Sequence, residues 1–181
     1  MQEAEPMTSA KFNPQKIQEL SKTYRISLLH EPDIPAVLKL CSRNPQYYEH
    51  CPPYVSPESI RQDMQAVPEG KSPEDKYYLG FFKAGRLIAV MDLISGYPDQ
   101  QTAFIGFFMM NMDMQGQGAG SHIIEEVCAC LNKYFSYIRL GYVKSNEQSR
   151  HFWQKNGFMP TGIVTKTAAY DIVVMQKNLR R

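Results

Sequence analysis

The chain lacks most of what would send it to a membrane, to nucleic acid or to a metal. Its 181 residues hold no apolar run near the roughly 20 needed to cross a bilayer, and Met1 to Tyr24 is polar, without the apolar centre of a secretion signal. These absences point to a cytoplasmic protein with no membrane partner. A net charge of +2 is too small a surplus for a nucleic-acid binder, and the closing Arg180-Arg181 reads as a solvated tail. Cysteine is sparse. The four, Cys41, Cys51, Cys128 and Cys130, form no CxxC pair, and Cys128 and Cys130 face different ways on a helix, so reduced structural thiols are expected. His50-Cys51 is followed by Pro52-Pro53 and has no second pair at ligand spacing, so no metal is expected.

What is present is enough apolar material for one compact domain: 43% of residues are hydrophobic and 12% aromatic. Residues 1–22 read as an N-terminal extension with one short helix over 14–22, because only Ile17 and Leu20 there are apolar enough to pack. Tyr24, Ile26 and Leu28 alternate as in a half-buried first strand, and residues 33–40 follow with helical spacing. After a connection rich in Pro, Tyr and His, Ser56-Pro57 starts a second helix, Ser as N-cap and Pro just inside it. Residues 77–82 and 87–94 flank a short turn and predict a hairpin, and the nearly unbroken apolar run 103–110 predicts a central strand covered on both faces. A helix to about Phe135, a strand over 137–143, a helix with Ser145 as N-cap and Gln148 closing a capping box, and strands over 161–166 and 170–175 complete the order. Asn156-Gly157 predicts a left-handed stop for the last helix.

Between the central strand and its helix lies Gln115-Gly116-Gln117-Gly118-Ala119-Gly120-Ser121, with three glycines in five residues. Such a turn lets main-chain N–H groups converge, and a helix N-terminus points its unpaired donors into the same space, which suits phosphate. The dinucleotide pattern GxGxxG fails because its third glycine would be Ser121, and the P-loop fails because no Gly-Lys-Ser/Thr follows. What remains is Gln115-x-x-Gly118-x-Gly120, followed about 25 residues later by Asn146-x-x-Ser149-x-x-Phe152-Trp153-x-Lys155-Asn156-Gly157-Phe158.

Together these two motifs resemble the GNAT superfamily of acetyl-CoA-dependent N-acyltransferases, over residues 24–178. The resemblance implies an α/β (α+β) fold: a mixed, mostly antiparallel central sheet of about seven strands with helices on both faces, occupying residues 23–181. It implies acetyl transfer from acetyl-CoA to a primary amine of a small molecule or peptide by direct attack in a ternary complex, without a metal. By position it sets the backbone of Met110 and Met112 against pantetheine, and Gln115, Gln117, Gly118, Ala119, Gly120 and Ser121 around the diphosphate. Asn146 either contacts the pantetheine arm or only starts its helix. Trp153 stands in the cofactor region where many relatives have an acidic tyrosine, and an indole N–H cannot act as an acid near neutral pH.

The chemistry needs a proton acceptor for an ammonium, a donor for the developing oxyanion and, optionally, an acid for the departing thiolate. The Met110 amide is the expected oxyanion donor. Tyr142, Tyr170 or water stands in for the acid. No carboxylate lies within 103–110, so Asp92 on the third strand, Glu49, His50 or water is left as base. Tyr47, Tyr48, Glu49, His50 and Tyr54, in the connection between the first two helices, are the acceptor-side candidates, able to stack on an apolar group and attract a cationic amine. A non-catalytic acetyl-CoA sensor is the rival reading, and pairing of copies through the terminal strands or the extension would give a homodimer.

Overall fold

The computed structural model describes residues 12–180; residues 1–11 of the expected extension and Arg181 of the tail lie outside them. The elements run β1 (Arg25–Leu28), α1 (Ile34–Cys41), α2 (Pro45–His50), α3 (Pro57–Gln65), β2 (Lys76–Lys83), β3 (Arg86–Ser95), β4 (Thr102–Met110), α4 (Ala119–Leu131), β5 (Tyr137–Val143), α5 (Glu147–Lys155), β6 (Met159–Lys166) and β7 (Asp171–Asn178). The strands form one seven-stranded sheet in the order β1-β2-β3-β4-β5-β7-β6. Every neighbouring pair is antiparallel except β4 and β5.

Helices cover both faces. On one, Val37 and Leu40 of α1 and Ile60 of α3 pack with Tyr78 and Val90; on the other, Ile123, Ile124 and Val127 of α4 pack with Leu79, Met91 and Leu93. The β2–β3 hairpin turns through Ala84 and Gly85, both left-handed at φ 48° and 77°, as a two-residue turn compatible with the sheet's twist requires. No helix of the described residues is long and apolar enough to cross a membrane.

β4 is central, and it changes partner loyalty halfway. Only Thr102–Ile105 pair with β5, against Tyr137–Leu140. At that point the register with β3 jumps, Asp92 opposing Phe107 and Leu93 opposing Ile105, so Gly106 is the extra residue of a bulge. A bulge bends and twists its strand. Here it carries residues 107–110 away from β5, and Phe107 and Phe108 are only half-buried where full cover on both faces was expected.

Three expectations need correction. The short helix expected over 14–22 is a 3-10 helix over Pro14–Leu20, and this part of the expected extension packs into the domain: Leu20 is fully buried, and Phe12 meets Tyr77 and Tyr134 edge-on at centroid distances of 5.0 and 5.4 Å. Two apolar residues suffice because they fill one gap between β1 and α4. The connection 44–57 holds an extra helix, α2, whose six residues are too few to show a periodic apolar stripe. The cap of α5 is Asn146, whose Oδ1 accepts from the Ser149 N–H at 2.9 Å, while Ser145 Oγ lies 2.9 Å from His50 Nδ1. By contrast Ser56 caps α3, Pro57 sits just inside it, and Gly157 is left-handed at φ 85°.

Candidate active site

The split between β4 and β5 opens a cleft of 460 Å³. Its floor is Phe108, Met109 and Met110 of β4; the glycine loop and the first turn of α4 form one wall, and Asn146, Ser149, Phe152 and Trp153 the other. Gly118 is the N-cap of α4 at φ 80° and offers no side-chain acceptor, and the first helical bond is His122 N–H to the Gly118 carbonyl at 3.0 Å. The amides of Ala119, Gly120 and Ser121 therefore have no intrahelical acceptor. A methyl on Gly116 or Gly118 would meet nothing within 4 Å, so the loop is open where a bulky anion would approach. At Gly120 the reason for glycine is different: a Cβ there would press on Met110 Cγ and the Phe152 ring, both at 3.3 Å.

Met110 is held by its carbonyl. Asn44 Nδ2 donates to that oxygen at 3.2 Å and Gln115 Nε2 at 3.3 Å. The next amide, Asn111 N–H, is spent on the Ile88 carbonyl of β3 at 2.7 Å. Because successive residues of a strand alternate their hydrogen-bonding edge, the Met110 N–H points away from β3, into the β4–β5 gap. Asn146 is 7% exposed, and its use of Oδ1 as a cap leaves Nδ2 without a partner among the described residues.

Of the residues expected around the cofactor, Met110, Met112, Gln115, Gly118, Gly120, Ser121, Asn146 and Trp153 line the cleft. Gln117 and Ala119 do not; the Gln117 side chain turns back to donate to the Asp113 carbonyl at 3.0 Å. The Asp113 carboxylate bridges Arg43, at 2.8 and 2.9 Å, and Arg86, and these guanidiniums, Arg43 first, hold it far below the usual carboxylate range. Arg43 and Asn44 line the cleft although nothing local in the sequence marks them.

A second cavity of 190 Å³ continues from the first and shares Tyr47, Phe108, Asn146, Ser149 and Trp153 with it. Tyr142 and Tyr170 reach it from β5 and from the turn before β7, and Cys51 from the end of α2. Cys51 Sγ lies 3.3 Å from Tyr170 Oη, and this second acidic group beside the phenol, and then burial, disfavour the phenolate and push the Tyr170 hydroxyl up to about 12. Tyr48, Glu49 and Tyr54 line neither cavity, contrary to expectation. The helical geometry of α2 explains this: Tyr47 and Cys51 are four residues apart and share the inward side, while Glu49 is exposed and Tyr54 is spent on the Ser42 carbonyl at 2.6 Å.

Asp92 lines neither cavity directly. Its Oδ2 accepts from Lys76 Nζ at 2.8 Å, both side chains largely buried, while Oδ1 is buried without a partner among the described residues. Burial raises its carboxyl above the ordinary range, and Lys76 partly opposes that rise. It stands next to the bulge: a Cβ on Gly106, which lines the second cavity, would come within 2.7 Å of Asp92 Oδ2.

A mixed sheet split beside a glycine loop that opens a helix, with a cavity continuing past the split, defines an acyltransferase of the acyl-CoA class. Residues 39–158 match the acetyltransferase (GNAT) family, and the chain belongs to that family. Similar solved structures include an acetyltransferase from Thermus thermophilus, 18% identical at a TM-score of 0.70, with 86% of this chain and 97% of that one covered. Another is an acetyl transferase from Salmonella typhimurium that modifies the N-terminal serine of 50S ribosomal subunit protein L7/L12, 18% identical at a TM-score of 0.68, covering 88% and 96%. A third is the ribosomal-protein-S18-alanine N-acetyltransferase of Escherichia coli, 17% identical at 0.62, covering 87% and 95%. At such identities the likeness shows the fold alone. No curated protein matches the chain.

Proposed function

We propose that the protein transfers the acetyl group of acetyl-CoA to a primary amine of a small molecule or peptide by direct attack in a ternary complex. The observation that carries this is the junction of the two cavities: the cleft at the α4 N-terminus and the second cavity meet at Trp153, Phe108 and Asn146, beside the edge to which the Met110 N–H points. The free amides of Ala119, Gly120 and Ser121 suit a diphosphate, with the helix dipole adding partial positive charge. Met110 and Met112 backbone and Asn146 Nδ2 suit the pantetheine arm.

In the transfer the amine nitrogen bonds to the acetyl carbon, the C–S bond breaks with its electron pair leaving on sulfur, and the Met110 N–H stabilises the carbonyl oxygen in between. The ammonium proton goes to Asp92, which its raised pKa and its place behind Gly106 support. Tyr142, 7% exposed in the second cavity, serves as the acid for the thiolate. A thiol of pKa near 8.5 is already a good leaving group, which makes this last role dispensable.

A non-catalytic acetyl-CoA sensor is favoured by Trp153 at the usual acid position and by the Lys76 pairing of Asp92. Incubation with acetyl-CoA and a panel of amines, followed by titration of free thiol, separates the readings. Amine-dependent thiol release is expected; tight binding with no release across the panel makes the protein a sensor.

A further inference from the structure

The second cavity is walled mainly by aromatic and aliphatic residues, with neutral polar groups supplied by Cys51, Asn146, Ser149 and the tyrosine hydroxyls. Tyr47, Phe107, Phe108, Tyr142, Trp153 and Tyr170 contribute to its wall, and no Asp, Glu, Lys, Arg or His does among the described residues. At 190 Å³ it is smaller than the roughly 300 Å³ at which drug-sized ligands begin to fit. Its roof is tied down on two sides. His50 Nδ1 lies 2.9 Å from Ser145 Oγ, joining α2 to the turn after β5, and the Cys51 thiol donates to Tyr170 Oη at 3.3 Å, joining α2 to the turn before β7. Tyr47 packs edge-on against Phe107, with ring centroids 5.7 Å apart.

Each of these features limits the acceptor. Ring faces attract an ammonium and stack on an aromatic or apolar body. A carboxylate on the acceptor would be desolvated with no cation among the described lining residues to meet it, only neutral donors such as Asn146 Nδ2 and the tyrosine hydroxyls, so its charge would stay uncompensated at a cost in binding. An extended peptide needs a passage between the α2 roof and the turns flanking β5 and β7, and two contacts close that passage. Resting on the acetyl transfer proposed above, we infer that the acceptor is a compact primary amine on an aromatic or apolar body, without a carboxylate and not at the end of a peptide.

The test uses the full chain, acetyl-CoA and four acceptors: 2-phenylethylamine, L-phenylalanine, spermidine and a tetrapeptide with a free N-terminus. Thiol release should give 2-phenylethylamine a kcat/KM at least about tenfold above each of the others, since L-phenylalanine differs from it only by the carboxylate. Cys51→Phe should then lower kcat/KM for 2-phenylethylamine by at least about tenfold by filling the cavity. Calorimetric affinity for CoA should be unchanged in that variant, because Cys51 does not line the cofactor cleft, and this also reports that it folds. Equal or faster transfer to L-phenylalanine, spermidine or the peptide overturns the acceptor class and leaves acetyl transfer standing. Full activity of Cys51→Phe on 2-phenylethylamine overturns this cavity as the acceptor site. No thiol release with any amine overturns acetyl transfer itself.

Discussion

Gln115 Nε2 donates to Asn44 Oδ1 at 2.6 Å, across 71 residues of sequence. Both side-chain amides also donate to the Met110 carbonyl, so the α1–α2 corner, the loop and the end of β4 are braced at one peptide. Asn44→Ala or Gln115→Ala should lower kcat/KM about tenfold, equivalent to about 1.4 kcal/mol of positioning. Because the three groups act as a unit, the double variant should cost little more than either single one. Steady-state kinetics of the cycle check this; strictly additive losses would mean that the brace does not exist.

Gly118→Asp and Gly118→Ala separate strain from charge. Both place a Cβ at φ 80°, costing about 1 kcal/mol of backbone strain, and that Cβ meets no neighbour within 4 Å. Only Asp adds a negative charge at the free amides of α4. Calorimetry should find CoA affinity reduced modestly by Ala and at least about a hundredfold by Asp. Equal affinities for the two variants would remove the loop from the diphosphate site.

Trp153 is 6% exposed and packs on Phe152 at 5.0 Å, Phe158 at 5.2 Å and Phe108 at 6.0 Å between centroids. This packing leads to the prediction that its contribution is shape. Trp153→Phe should keep kcat within about tenfold of the parent, with a lower Tm from the lost buried volume. A loss of a thousandfold or so in kcat, with circular dichroism unchanged, would give the indole a chemical role.

Asp92 and Lys76 yield a pH prediction with a defined sign. A base must be ionised to work, so activity falls as pH drops through its pKa, and burial sets that fall above the ordinary carboxylate range. Lys76 holds the value down, so Lys76→Gln should move the acidic limb of kcat/KM to higher pH. Asp92→Asn should abolish that limb. An unchanged limb in Asp92→Asn assigns the proton to another group, and a limb that Lys76→Gln does not move separates the pair from the chemistry.

The sequence by itself determined the order of the strands and of every helix but the short α2, the glycine loop and the family, because each rests on local rules: alternation, capping, left-handed turns and two motifs at fixed spacing. Gly118 and Gly157 are legible in that way, since a positive φ is a property of one residue and its neighbours. Tertiary structure alone decided what stands against what. Asn44 reaches Met110, and Cys51 reaches Tyr170, across intervals that no periodicity records. Composition alone points to Tyr48, Glu49 and Tyr54 as readily as to Tyr47, but which side of α2 faces the sheet depends on its packing, and that side carries Tyr47 and Cys51. Asp92 is one of several candidate bases in the sequence, and only the bulge at Gly106 brings it beside the second cavity. A site is made where separate elements converge, and convergence is set by burial over the whole sheet, which a one-dimensional pattern does not contain.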